Sequence, residues 1–166
     1  IVGCRSQAVG SGLWFLGAWT VWNTLSPEQQ TLTDPDFRAE AEIGGCYSAL
    51  QVQQLNLRRG ALGSHMRQFM QRFDLLVTPA VSVPAFDAKP AGHTPMDPEA
   101  MLGWTPFSYP FNLTQQPACT IPCGLTRDGL PIGLQMVGPM FGDAQVLRAA
   151  RAYERVHPIP RPVLTA

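Results

Sequence analysis

ACTIPCGLTRDGLPIGLQMVG, at residues 118–138, consists of two short apolar runs joined by a turn sequence. The runs 118–123 and 131–138 have the length and apolar composition typical of strands. Between them, Asp128-Gly129 is a dipeptide that favours a tight hairpin turn. Pro122 has no amide proton to donate to a sheet, so it must lie at an edge or a bulge. This segment therefore predicts an antiparallel hairpin with Gly129 at positive φ.

The region before the hairpin, within 74–138, combines a strand with a long loop. Residues 74–79 (DLLVTP) are a short apolar run closed by proline, which predicts a buried strand. Seven of the sixteen prolines fall in 79–110, and that density predicts a long loop without regular structure. Aromatic residues near its end, Trp104 and Phe107 among them, predict that this last part packs against the protein.

Residues 1–73 are predicted to be helical. A first helix is expected over 8–25, ending at Ser26-Pro27, and a polar connection leads to a second helix that Asp34-Pro35 opens and Gly44-Gly45 stops. Ser48 and Gln51 form the pattern of a capping box. The helix that follows runs to Phe73 and carries a stripe of apolar residues on one face. The members of that stripe are Leu55, Leu62, Met66, Phe69 and Phe73.

A last helix is predicted over 143–157, with Asp143 as its N-cap. Its apolar residues are expected on one side. They are Val146, Leu147, Ala150, Tyr153 and Val156.

Composition excludes several classes of partner. The chain has 166 residues with zero formal net charge, so no basic surface for nucleic acid or an anionic membrane is expected. The apolar run 13–19 has about half of the ~20 residues that a membrane-spanning helix needs. Only 14% of the residues are charged, which indicates that part of the surface contacts other protein.

The four cysteines, Cys4, Cys46, Cys119 and Cys123, form no CxxC pair, so neither a zinc ribbon nor a redox motif is expected. Cys119 and Cys123 would lie on one face of a strand, roughly 13 Å apart and beyond disulfide reach. Buried, reduced thiols are typical of a cytoplasmic protein, and we expect that localisation.

Three motifs together resemble the C-terminal region of amidase-signature enzymes: FNLTQQPA at 111–118, IPCG at 121–124 and DGLPIGLQMVGP at 128–139. The order of the elements from the Ser48 helix to the last helix is also similar, and the resemblance covers roughly residues 48–156. It implies an α/β fold in which helices flank a mixed β-sheet. It also implies hydrolysis of a carboxamide C–N bond by a Ser-Ser-Lys mechanism that needs no cofactor.

The catalytic residues of that mechanism have no counterpart in the chain. The only lysine is Lys89, in the proline-rich loop, and there is no Gly- and Ser-rich signature. His65 and His93 suggest a Ser-His arrangement, but no Gly-x-Ser-x-Gly elbow accompanies them. We therefore assign no catalytic residue and no metal ligand.

The resemblance implies that Trp104, Phe107, Phe111 and Asn112 lie over the acyl pocket, as an apolar wall with one amide to orient the substrate. The alternative is a loop anchored to the core by its aromatic residues, with Asn112 bonded to loop backbone. Gln115 stands where many relatives have glycine, and Gln135 is expected to be structural.

The resulting hypothesis makes residues 1–166 a single C-terminal fragment of an amidase domain, because the sequence opens at Ile1 without an initiator methionine. Its expected partners are a small-molecule amide and the N-terminal remainder of the protein, or further copies in a homo-oligomer. Two alternatives stay open: the A-type subunit of a tRNA-dependent amidotransferase, and a non-enzymatic scaffold. The uncharged stretch 101–111 disfavours the first, since it could not grip an amino acid.

Overall fold

The computed structural model describes residues 2–85 and 104–158. The helices in these ranges are α1 (Val2–Trp22), α2 (Pro27–Thr31), α3 (Pro35–Gly45), α4 (Ala49–Met70), α5 (Tyr109–Thr114) and α6 (Asp143–Val156). The strands are β1 (Leu76–Pro79), β2 (Ala118–Leu125) and β3 (Pro131–Val137). The α/β class is confirmed.

The three strands form one sheet in the order β1-β3-β2, and both pairings are antiparallel. The hairpin between β2 and β3 is confirmed: Gly129 has φ +81°, and its amide donates to the Thr126 carbonyl at 3.0 Å. The register shifts between Pro122 and Gly124, and β2 is an outer strand of the described sheet, so the proline lies at an edge and beside a bulge or irregularity. Turn and bulge together fix which face of the hairpin meets the core.

Helix α6 covers one face of this hairpin. Ile121 of β2 and Met136 of β3 form a buried cluster with Val146 and Ala150 of α6. The prediction of a wholly apolar side on this helix was only partly right, since Leu147 and Val156 are exposed. The predicted cap was wrong as well. Gly142 holds the N-cap position and Asp143 is the first helical residue, where a carboxylate still complements the helix dipole.

A second cluster joins the helices. Val9 of α1, Leu55 of α4 and Leu113 of α5 are buried together. Helix α3 crosses α1 so closely that a Cβ at Gly44 would overlap the Phe15 carbonyl. The prediction that this helix ends at Gly44-Gly45 is confirmed, since Gly45 is the last residue of α3. Gly44 is needed for the close approach as well.

Other boundaries also differ from prediction. Helix α1 begins before residue 8 and ends at Trp22, and Ser26 caps the short helix α2 where a polar connection was expected. The capping box of Ser48 and Gln51 is confirmed, but α4 ends at Met70 and leaves Phe73 exposed. Strand β1 was predicted to be buried, but its residues alternate between half-buried and exposed, because successive side chains point to opposite faces of the sheet.

Cys46, Cys119 and Cys123 are free, and none of the three is fully buried. Cys46 is exposed, against the prediction, while Cys119 and Cys123 are half-buried. Burial against α6, with a smaller contribution from the carboxylate of Glu154, raises the pKa of the Cys119 thiol. Within residues 2–85 and 104–158, no helix meets the length and apolarity that a membrane crossing requires.

The turn at Gly129 generates a first prediction. Replacing Gly129 with valine should lower the free energy of unfolding by about 1 kcal/mol or more, because a β-branched residue resists positive φ. Urea denaturation followed by circular dichroism measures this. The space around Gly129 is open, so steric overlap cannot account for a loss. Equal stability of the variant and the parent would contradict the turn conformation.

Candidate functional site

The site is built on residues 104–108, which lie against the strands β1 and β3. The amide of Ser82 donates to the Trp104 carbonyl at 3.2 Å. The hydroxyl of Ser108 donates to the carbonyl of Ala80 at 3.3 Å. The segment that carries two of the predicted binding residues is thus tied to the chain just after β1.

Gln135 makes the third attachment from the middle of the sheet. Its side chain is 7% exposed, and its Nε2 atom donates to the Phe107 carbonyl at 2.6 Å and to Thr78 Oγ1 at 3.0 Å. Thr78 is also its neighbour in the β1–β3 register. Gln135 therefore has a structural role, as expected: its side-chain amide holds residue 107 against the sheet.

Helix α5 continues the segment and is fixed at its C-terminal end. Arg59 of α4 donates through Nε to the carbonyl of Leu113 at 2.9 Å, where a cation also complements the helix dipole. Gln115 closes the helix in the left-handed conformation, with φ 60° and ψ 34°. This conformation suits glycine far better than glutamine.

The four predicted binding residues differ in exposure. Trp104 is 44% exposed and Phe107 is half-buried, so both present part of their rings at the surface. Asn112 is exposed on α5. Its backbone N–H donates to the Ser108 carbonyl in the first turn of the helix. Phe111 is buried, so its ring supports the helix from the core. Residues 104–116 carry no charged side chain of their own.

Beyond α5, a buried polar pair precedes β2. The hydroxyl oxygen of Thr114 lies 2.6 Å from Oε1 of Gln116 and 3.0 Å from the carbonyl oxygen of Pro110, and both Thr114 and Gln116 are buried. Nε2 of Gln116 has no hydrogen-bond partner among the described residues.

The described ranges contain no cluster of three or more His, Cys, Asp or Glu residues that could hold a metal ion. His65 is exposed on α4, and the predictions that concern Lys89 and His93 fall outside the described residues. The chemistry available at residues 104–116 is therefore apolar contact and neutral hydrogen bonding.

Comparison with known proteins gives the family. A family model described as Amidase matches residues 30–147, more than half of the chain. The chain is 30% identical over 161 residues to an acylamidase of Rhodococcus erythropolis, an alignment that covers 94% of this chain and 34% of the relative. It is 39% identical over 113 residues to the A-type subunit of a glutamyl-tRNA(Gln) amidotransferase from Myxococcus xanthus, covering 68% of this chain and 22% of the relative.

The fold agrees with this result. The crystal structure of a bacterial aryl acylamidase of the amidase-signature family superposes with a TM-score of 0.69 at 23% identity, covering 92% of this chain and 34% of that one. The chain belongs to the amidase family, and its fold is that of the amidase-signature enzymes. It spans about a third of the length of the acylamidase that it matches.

Sequence reasoning missed α5, Arg59 and Gln116. The proline density across 79–110 predicted a loop, yet Pro110 occupies the first turn of α5, where proline needs no amide proton. The position of Pro110 could have predicted the start of a helix. Arg59 and Gln116 gave none, because their contacts depend on how distant segments pack.

Gln135 yields the second prediction. Gln135→Met leaves the Phe107 carbonyl and Thr78 Oγ1 without their donor, so the free energy of unfolding should fall by about 1–3 kcal/mol. Hydrogen exchange should also speed up at residues 104–108. The matched control is Gln145→Met, which removes a solvent-exposed hydrogen bond to the Asp74 carbonyl and should change stability by about 0.5 kcal/mol or less. Equal effects of the two substitutions would contradict the role given to Gln135.

Gln115 yields the third. Gln115→Gly should raise the free energy of unfolding by about 0.5–1 kcal/mol, because glycine adopts the left-handed conformation without strain. The control is Gln71→Gly at the C-cap of α4, where φ is −64° and glycine should be destabilising by a similar amount. Thermal unfolding measures the change in stability of each variant. A loss of stability in Gln115→Gly would overturn the conformational argument.

Proposed function

We propose that this chain is the C-terminal part of an enzyme that hydrolyses the C–N bond of a small, uncharged carboxamide. Family membership supports amide chemistry, and the observation that carries the substrate class is the neutral, partly apolar surface of residues 104–116. The Ser-Ser-Lys machinery that the resemblance implies would come from the N-terminal remainder of the polypeptide. In this proposal residues 1–166 are one fragment of a single amidase domain.

In this proposal Trp104 and Phe107 contact the acyl part of the substrate. Both residues are partly accessible, and Gln135 fixes the backbone of Phe107. Binding an apolar group would therefore cost little conformational entropy in this segment. Asn112, exposed on α5, orients the substrate by its side-chain amide. Phe111 acts from the core by holding the helix that carries Asn112.

The second candidate is the A-type subunit of a tRNA-dependent amidotransferase, which the relative from Myxococcus xanthus favours by its 39% identity. A glutamine substrate carries both a carboxylate and an ammonium group. A protein that grips them needs charged partners, and residues 104–116 supply none. The amidase hypothesis therefore fits the described surface better.

The fourth prediction tests the substrate surface in the longer polypeptide. Trp104→Ala and Phe107→Ala should each lower kcat/KM for an aromatic or aliphatic amide by about 10–200-fold, the effect of losing part of an apolar subsite. The loss should be larger for an aromatic acyl group than for acetamide. Steady-state kinetics over a series of acyl groups measures this.

The control is Phe73→Ala, which removes a ring of nearly the same exposure, 46%, from the end of α4. It should leave kcat/KM unchanged. The chain by itself should show no turnover, since it lacks the nucleophile and base. Glutamine-dependent transfer to a charged tRNA, without hydrolysis of simple amides, would favour the second candidate and reject the first.

A further inference from the structure

Three residues of α4, Leu55, Arg59 and Leu62, share one side of that helix, because steps of four and three return to the same face. Leu55 is buried together with Leu113 of α5, and Leu62 packs against the same cluster. Arg59 lies between them, half-buried, and its Nε atom donates to the Leu113 carbonyl at 2.9 Å. This side of α4 therefore offers α5 both apolar contact and one hydrogen-bond donor.

The carbonyl of Leu113 needs a donor from outside its own helix. A helix carbonyl is normally closed by the amide four residues later, or three residues later in a tight last turn. Four residues after Leu113 is Pro117, which has no amide proton. Three residues after it is Gln116, whose amide donates to the Phe111 carbonyl at 3.3 Å. Arg59 supplies the donor that the local chain does not.

This hydrogen bond is made one residue away from Asn112, which α5 exposes. The helix has only six residues, and the side chain of its N-cap residue, Ser108, makes no capping hydrogen bond. A helix this short is not stable through its own hydrogen bonds, so contacts with other elements determine its position. The direction of the Asn112 side chain thus depends on how Leu113 is held, and Arg59 makes the polar part of that contact.

We propose that Arg59 is a positioning residue for amide hydrolysis, which acts through the Leu113 carbonyl to fix the substrate-orienting amide of Asn112. This inference rests on the proposed function, because that function gives Asn112 its contact with the substrate. Arg59 itself touches no substrate in this proposal. Its effect on the reaction passes through Asn112, so the two residues do not contribute independently.

The hydrogen bond of Arg59 contributes more to this role than its charge. Because α5 has six residues, the two ends of its dipole lie close together and partly cancel. Arg59 is only half-buried, so solvent screens its charge. Without the Nε donor, in contrast, the carbonyl of the buried Leu113 loses its hydrogen bond outright. A neutral side chain that carries a donor at the same place should therefore replace arginine.

The fifth prediction separates the donor from the charge in the longer polypeptide. Arg59→Met keeps the apolar stem and removes the donor, so kcat/KM for benzamide should fall roughly 10-fold. Arg59→Gln has an uncharged N–H donor at the position of arginine Nε, and should restore kcat/KM to within about 2-fold of the parent. The matched control is Arg58→Met, which removes an exposed arginine from the preceding position of α4 and should leave kcat/KM unchanged.

A double-mutant cycle distinguishes positioning from general destabilisation. In a protein that already carries Asn112→Ala, Arg59→Met should lower kcat/KM by less than about 2-fold, because the group that it positions is absent. A loss of folded protein would lower kcat by the same factor in both backgrounds and leave KM unchanged. Hydrogen exchange reports on α5 directly. The amides of residues 112–116 should exchange faster in Arg59→Met and at the parental rate in Arg59→Gln.

Equal losses from Arg59→Met in the two backgrounds would overturn the proposal. Rescue by Arg59→Lys without rescue by Arg59→Gln would also overturn it, since the charge would then be the active feature. A longer polypeptide that hydrolyses no amide would reject the proposed function, and the exchange rates would then decide separately whether Arg59 fixes α5. Unchanged exchange in Arg59→Met would reject that contact as the one that holds the helix.

Discussion

The candidate site depends on the side-chain amide of Gln135, which ties the sheet to the segment before α5. It lies in the central strand, and both of its protons are used, one on Thr78 of the neighbouring strand and one on the carbonyl of Phe107. A buried amide with both donors engaged has little freedom to rotate, because any other orientation would leave a buried group unpaired. One side chain thereby joins β1 and β3 to the segment that leads into α5.

The features that could be predicted from the sequence are local ones. Asp128-Gly129 specifies a turn by backbone conformation alone, and Ser48 with Gln51 specifies a helix start by two hydrogen bonds within four residues. The contacts that form the candidate site are not local. Gln135 is 28 residues from Phe107, and Arg59 is 54 residues from Leu113. No periodicity or propensity encodes such pairs, so the site could be inferred only as a resemblance.

Strand β1 shows why an apolar run can predict the right element and the wrong burial. Its composition is that of a strand covered on both faces, and the structure confirms a strand, but Val77 is exposed. Burial depends on which neighbours are present, and β1 has only β3 beside it in the described residues. The low fraction of charged residues also indicates that part of the surface contacts other protein. Both features support the proposal that more of an amidase domain covers this part of the sheet.

The strained residues complete this physical picture. Among the described residues, Gln115 and Phe141 are the two without glycine's freedom that adopt positive φ. Gln115 closes α5 immediately before Gln116, and Phe141 lies on the other side of the contact between Pro117 and Gly138. A fold optimised for stability alone would place glycine at both positions. At Gln115 the strain accompanies a helix end next to the candidate site, while at Phe141 it places an exposed ring. The turn at Gly129 differs from both, because glycine adopts its positive φ without strain.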